Sequence, residues 1–594
     1  LKPGWTIERA SADFQALAPA VMRATLPPTY RPEEAKGYLK NQFEITPGAS
    51  GVSNLRDAYQ QPLWLLLAIT GLVLLIACAN LANLLLARAS AREREIAVRQ
   101  AIGASRPRLV LQLMAESLLL ALAGTSLGVL LAQSLSRGII AFLSKADRGM
   151  LLGLELDARV LGFTAGIALT TCALFGLAPA LRATRVAPGA AMKGGRGLTA
   201  GREGFSLRRF LVVAQVALSL VLLVGALLFT GSLRKLLAVD PGFRAGGVVV
   251  VEVDFRGAHY PKERRFEVYR EMMEQLLARP GVTSVAQADH TPVGGSASNN
   301  MCWAEGSTLP HALSNLNYVS PGYFRTMDVQ LMAGRDFNAG DRLGSPRVAI
   351  VNEAFVKRFW GGGNPVGRTF LVQGDEGEPD SRYQVVGLAH DTKYRTLREN
   401  MEPISYFAVT QVADPGPWAT FVVRTSAPVG DTFRSVRAAI AEVSPSIAVE
   451  SAVLSQQLEN SLLRERLMAT LAGAFGLVAG LLATLGLYGV IAYMVARRRN
   501  EIGIRIALGA ESSGVVWLVL REATVLLCCG LAIGAGLALW AGQAARSLLF
   551  GLKPNDPATL LGAMALLAAV AIVASCGPAR RAARLEPMRA LREE

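Results

Sequence analysis

Few residues in this chain are spaced for chemistry. Ser126 stands in GTSLG (124–128), the G-x-S-x-G spacing that exposes a serine nucleophile on a strand-to-helix turn. Here the motif lies within an apolar run, and a related segment at 530–534 carries Ala532 where Ser126 stands, so no nucleophile is expected. GGNPVGRT (362–369) has the glycines of a phosphate loop, but Arg368 replaces the lysine and Pro365 interrupts it. The four histidines, His259, His290, His311 and His390, show no H-E-x-x-H or other ligand spacing. The expectation is a protein with no catalytic set, no metal and no cofactor.

A different phrase stands out because it occurs twice. Residues 95–105 read EIAVRQAIGAS and residues 501–511 read EIGIRIALGAE. Glu95 and Arg99 are four apart, acid first, which suits an ion pair within a helix, and Glu501 and Arg505 repeat it. Ile96, Val98 and Ile102 supply apolar surface, matched by Ile502, Ile504 and Leu508, and Gly103 and Gly509 are natural helix stops. The pattern predicts a short amphipathic helix at a membrane face. An interfacial anchor is the plainer reading; duplication favours a docking surface presented twice. At the same offset, Gly124 and Gly128 pair with Gly530 and Gly534 as G-x-x-x-G spacings that let helices approach in lipid. Glu116 pairs with Glu522, and both are read as acids at the starts of spans, where the helix N-terminus favours them.

The elements that must position these phrases are membrane helices. Of the 594 residues, 51% are hydrophobic and 18% charged, and the mean hydropathy is +0.33. About 20 apolar residues span a bilayer as a helix. Seven stretches qualify, near 62–87, 109–133, 159–181, 210–232, 467–495, 513–545 and 557–577. The net charge of +15 is not spread as a nucleic-acid-binding surface would have it. Segments 88–108, 182–209, 497–511 and 580–594 carry 22 Lys and Arg against 8 acids, so nearly the whole excess flanks helix ends. By the positive-inside pattern these segments are cytoplasmic. Residues 1–60, the 134–158 loop, residues 233–465 and the 546–556 turn are then outside. Five cysteines (Cys78, Cys172, Cys528, Cys529, Cys576) fall in spans and Cys302 falls outside, which leaves the outer domain no partner for a disulfide within itself.

The offset of 406 residues holds without a gap from the repeated phrase through the glycine pairs. The third helices also end alike, GLAPALRATRVAP (176–188) against GPARRAARLEP (577–587). Each block is one copy of a three-helix unit. The second copy is preceded by a further helix and an outside domain, the first only by residues 1–60, so a missing N-terminal portion is expected. Residues 233–465 read as α+β: GGVVVVEVDF (246–255), PRVAIVN (346–352), RYQVVGL (382–388) and ATFVVRT (419–425) as strands, and 263–279 and 352–359 as helices.

The EIGIRIALGA phrase after a span, the PA..RA.R..P ending, VSPGYFRTMDVQLMAGRDF (319–337) and VAIVNEAFVKRFWGGGNPVGRTF (348–370) resemble the FtsX/MacB-type permeases of ABC transporters, in a tandem bacterial form. That resemblance implies a helical polytopic protein of the bacterial inner membrane with an α+β extracytoplasmic domain. Its parts would be a remnant of a first outside domain (1–60), a first FtsX-like unit (61–185), a basic linker (186–209), a helix (210–232), a MacB-like periplasmic core domain (233–465) and a second FtsX-like unit (466–594). It also implies a non-catalytic subunit served by a separate cytoplasmic ABC ATPase, with Glu95, Ile96, Arg99, Gly103, Glu501, Ile502, Arg505 and Gly509 on the docking helices. A periplasmic adaptor and an outer-membrane channel are further partners for an exporter. The other function such a moving part allows is a non-transporting mechanotransducer that regulates a periplasmic or cell-wall partner.

Overall fold

The computed structural model describes residues 4–26, 32–43, 45, 54–91, 99, 102, 104–144, 158–160, 162–167, 169–170, 200–258, 260–307, 311–374, 379–508 and 511–583. In chain order, α1 (Ile7–Ala24) and α2 (Pro32–Tyr38) precede three long helices, α3 (Asn54–Ala91), α4 (Arg106–Ser144) and α5 (Ala200–Leu237). A mixed domain follows: β1 (Val248–Asp254), α6 (Lys262–Leu277), β2 (Val282–Gln287), β3 (Asn299–Ala304), β4 (Ala312–Val319), α7 (Tyr323–Met327), β5 (Leu331–Gly334), β6 (Val348–Asn352), α8 (Glu353–Trp360), β7 (Thr369–Val372), β8 (Ser381–Ala389), β9 (Ile404–Ala408), β10 (Trp418–Thr425), α9 (Val429–Val443), β11 (Ala448–Val453) and α10 (Leu454–Ser461). The chain closes with α11 (Leu463–Arg497), α12 (Arg499–Ala507), α13 (Ser512–Ala544) and α14 (Pro557–Ala583).

The chain divides into two compact units, residues 1–59 with 239–462, and residues 60–238 with 463–594. In the helical unit, six helices among the described residues are long and apolar enough to cross a membrane. They are α3, α4, α5, α11, α13 and α14. Of the predicted span 159–181, the described part is a shorter apolar helix, Ala158–Ile167. Two boundaries differ from expectation. α4 runs on to Ser144, into the segment read as a loop, and α5 starts at Ala200, inside the segment read as a linker. Hydropathy marks only the apolar middle of a helix, whereas backbone hydrogen bonding carries the helix on into polar flanks.

α5, α11, α13 and α14 share one core, in which Val216, Leu220, Leu487, Leu527 and Leu567 are buried. α3 joins through Ile69 and Ile76, which pack with Leu222 and Ala479. In α4 Leu109, near its start, is buried, and the most apolar stretch has no buried residue among the described ones. Within α4 the hydroxyl of Ser126 donates to Leu122 O at 3.0 Å, so it is spent on its own helix and stands on no strand-to-helix turn.

In the other unit, a four-stranded sheet of order β11-β1-β10-β2 is covered by α6 and α9. Val251 and Phe421 pack there against Met272 and Ile440. The second sheet has the order β5-β8-β6-β9-β4-β3-β7, and β7 also pairs with β8, closing six strands into a ring. Phe355, Phe370 and Phe407 fill its core. The strands and helices predicted for this region fall where the alternation placed them. The glycine-rich stretch after α8 is a turn: Gly361, Gly362, Gly363 and Gly367 all have positive φ, and Gly361 caps the C-terminus of α8. A phosphate loop needs its glycines before a helix N-terminus, and this stretch follows a helix and leads into a strand.

Candidate coupling helices and the charge cluster behind them

α12 is nine residues between two spans, too short to be stable alone in water. It is held by packing on one face. Ile502 is buried among the membrane helices with Met494 and Val515. The opposite face carries Glu501, Ile504, Arg505 and Leu508, all exposed. Arg505 Nη2 meets Glu501 Oε1 at 2.8 Å, the pair that the four-residue spacing predicts. Leu508 is 82% exposed at the end of the helix.

In the first copy, Glu95, Ile96 and Gly103 lie outside the described residues, as does Gly509 in the second. Arg99 is exposed and donates to Gln112 Oε1 at 3.3 Å. Ala104 N reaches Arg99 O at 2.9 Å. Ile102 holds the repeat position of Leu508 and is also 82% exposed. Each copy therefore presents a large aliphatic side chain at the same place.

Behind α12 lies a cluster that the sequence did not reveal. Glu522 is ten residues into α13, about three turns from its start, where the field of the helix terminus no longer acts. Its carboxylate instead takes two arginines. Arg498 Nη1 donates to Glu522 Oε2 at 3.0 Å, and Arg209 pairs with Oε1. Arg498 also lies 4.0 Å from Glu501, and the guanidinium of Arg208 stacks over the Tyr493 ring at 3.8 Å. Glu522, only 17% exposed, thus ties α5 to the segment that leads into α12. Glu116, its repeat equivalent, is likewise ten residues into α4.

The glycine pairs differ between copies. A Cβ at Gly530 would lie 2.6 Å from Val216, and one at Gly534 would lie 2.8 Å from Ala217 O, so α13 and α5 touch along this face. At Gly124 and Gly128 a Cβ would meet no described atom within 4 Å.

Comparison with known proteins assigns these pieces. The FtsX-like permease C-terminal family matches twice, at residues 67–188 and 473–587, and the MacB-like periplasmic core domain matches residues 210–456. The chain belongs to the FtsX/MacB-type permeases. The FtsX-like matches take in α3 from residue 67 with α4 in one copy, and α11 from residue 473 with α12, α13 and α14 in the other, so both amphipathic phrases sit at corresponding places in a permease unit. As an FtsX/MacB-type permease it is a multi-pass inner-membrane protein with a large periplasmic domain.

The macrolide export ATP-binding/permease protein MacB of Rhodospirillum rubrum is 26% identical over 290 residues, covering 47% of this chain and 43% of that protein. The uncharacterized ABC transporter permease YknZ of Bacillus subtilis is 22% identical over 296 residues, covering 47% of this chain and 70% of that one. The aligned part is thus under half the length of the MacB relative. Among solved structures, the periplasmic region of MacB from Actinobacillus actinomycetemcomitans aligns with 36% of this chain and 93% of its own, at 14% identity and a TM-score of 0.25.

Proposed function

We propose that this chain is the permease subunit of an ABC efflux system, without a nucleotide site of its own, driven by a separate cytoplasmic ATPase. α12 and the 95–103 segment dock on two ATPase subunits, and motion there is passed to the periplasmic domain. One observation carries the reading: each copy holds an exposed aliphatic side chain, Ile102 and Leu508, at the same repeat position on a basic, cytoplasmic segment. Apolar anchors of this kind seat a short helix in a groove of a partner. The duplicated helix is the reason for two docking sites within one chain. Relatives carry names that include macrolide, syringafactin and pyoverdine export, which supports export of a hydrophobic or peptide-like compound. A periplasmic adaptor and an outer-membrane channel complete such a system.

Co-purification with a candidate ATPase tests the docking. Arg505→Glu breaks the Glu501 pair and reverses a charge on the exposed face, and it is expected to uncouple ATP hydrolysis from the permease. Intact coupling in that variant would refute the assignment. Efflux from vesicles separates export from mechanotransduction. ATPase coupling with no substrate moved, but with a cell-wall hydrolase activated, is the outcome for a transducer.

A further inference from the structure

The two permease units meet at residues that are each other's repeat equivalents. Asn80 on α3 and Gly486 on α11 are separated by the 406-residue offset of the repeat. A Cβ built at Gly486 would lie 2.3 Å from Asn80 Oδ1 and 2.2 Å from Gln215 Oε1, closer than any side chain can stand. The same offset relates Ile69 to Phe475, Val73 to Ala479 and Ile76 to Leu482, and all six lie in one hydrophobic cluster, capped by Leu218 and Leu222 of α5. Positions 69, 73, 76 and 80 recur every three or four residues and so lie on one stripe of α3. When two copies of a unit face each other across a two-fold axis, residues near the axis meet their own equivalents. That stripe therefore marks a local two-fold axis between the units.

At Asn80 and Gly486 the two copies are unlike, and the contact uses the difference. A side chain on a helix covers the turn before it, so a glycine at 486 leaves the carbonyl of Leu482 uncovered. Asn80 Nδ2 donates to that carbonyl at 2.8 Å, and Gln215 Nε2 donates to it as well. Asn80 is 8% exposed and Gln215 is 1% exposed. Their amide oxygens find no hydrogen-bond partner among the described residues and rest against Gly486. Polar contacts of this kind hold helices together in lipid, where water cannot compete.

We propose that the amide on α3 and the glycine on α11 form a recognition pair that joins the first permease unit to the second unit of the same chain, in preference to a like unit of another copy. Two first units would put two amides, Asn80 and Asn80, where the unlike union places one amide and a glycine; such amides can bond each other, but neither meets an uncovered backbone carbonyl. Two second units would bring Gly486 against Gly486, leaving the Leu482 carbonyl with Gln215 of its own unit and no amide from across the axis. Only the unlike union sets an amide of one unit on an uncovered backbone carbonyl of the other. This inference concerns assembly and holds whether or not the chain works with an ATPase.

The test uses the full chain in membranes, with its six cysteines changed to alanine and a protease site inserted at the exposed Leu343. Asn80→Cys combined with Gly486→Cys is expected to form a disulfide within one chain, so that the two protease fragments separate only after reduction. Either substitution alone is expected to give no cross-linked dimer of chains. Absence of the within-chain link overturns the proposal, and so does a between-chain dimer of comparable yield. A second measurement needs no cysteine. Gly486→Ala is expected to lower the Tm by several degrees, and Asn80→Ala in the same chain to recover part of that loss, because it removes one of the two crowding oxygens. Losses that simply add would overturn the pairing.

Discussion

Glu522 is the residue whose role depends most on its surroundings. It accepts from two arginines, one of them 313 residues away in sequence. Removing the charge turns one carboxylate oxygen into an amide donor and leaves a single neutral oxygen to accept, and charged hydrogen bonds of this sort contribute about 2 kcal/mol each. Glu522→Gln is therefore expected to lower the unfolding temperature in detergent, while Glu501→Gln, on the exposed side of Arg505, should change it little. Equal effects would show that the cluster does not hold α5 to the α12 segment. Cys302 offers a cleaner chemical readout. Burial pushes its thiol up to about 12, so in the folded protein it stays protonated at pH 9. It should resist maleimide until the domain unfolds, and ready labelling at that pH would contradict the burial. Tyr269 and Tyr394 are pushed up to about 12 by burial as well. The unfolded chain loses these protons near pH 9 to 10 while the folded domain keeps them, so stability is full below pH 9 and falls as pH rises toward 12. An alkaline titration of Tm for the periplasmic unit in the whole protein checks this.

At the scale of elements, the two copies of one helix pattern meet different surroundings. Gly530 and Gly534 are pressed against α5, whereas Gly124 and Gly128 meet no described atom. Gly530→Leu is expected to force α13 away from Val216 at a cost of about 1–3 kcal/mol or more. Gly124→Leu should be neutral or slightly stabilising, since leucine favours helix over glycine. Comparable destabilisation at both sites, read by thermal unfolding, would mean that the copies pack alike. The sequence showed the glycine spacing in each copy but not this difference. Spacing is a property of one helix, and packing depends on whether a second helix is there to be met. The amphipathic phrase was more legible. Ile502 turned inward and Arg505 paired with Glu501 because a period of 3.6 residues decides both within the helix itself.

For the whole molecule, the basic segments predict which side each part occupies. In inside-out vesicles, protease should reach 497–511 and spare 233–465, and cleavage of the domain between β5 and β6 would invert the topology. The sequence alone determined six of the spans, their basic flanks, the repeat and the α+β character of the periplasmic domain. Each of these is written in residues that are near one another or related by a constant offset: apolar runs, alternation, flanking arginines. What only the tertiary structure decided are the meetings between distant residues. Arg209 and Arg498 on Glu522, Gln215 on the carbonyl uncovered by Gly486, and the ring closed by β7 on β8 join positions with no pattern between them, and the offset that relates Asn80 to Gly486 does not itself bring them into contact. Helices in lipid satisfy their backbones one at a time, so local sequence suffices to form them. Which faces then touch is settled by packing and by the few polar groups that must find partners away from water.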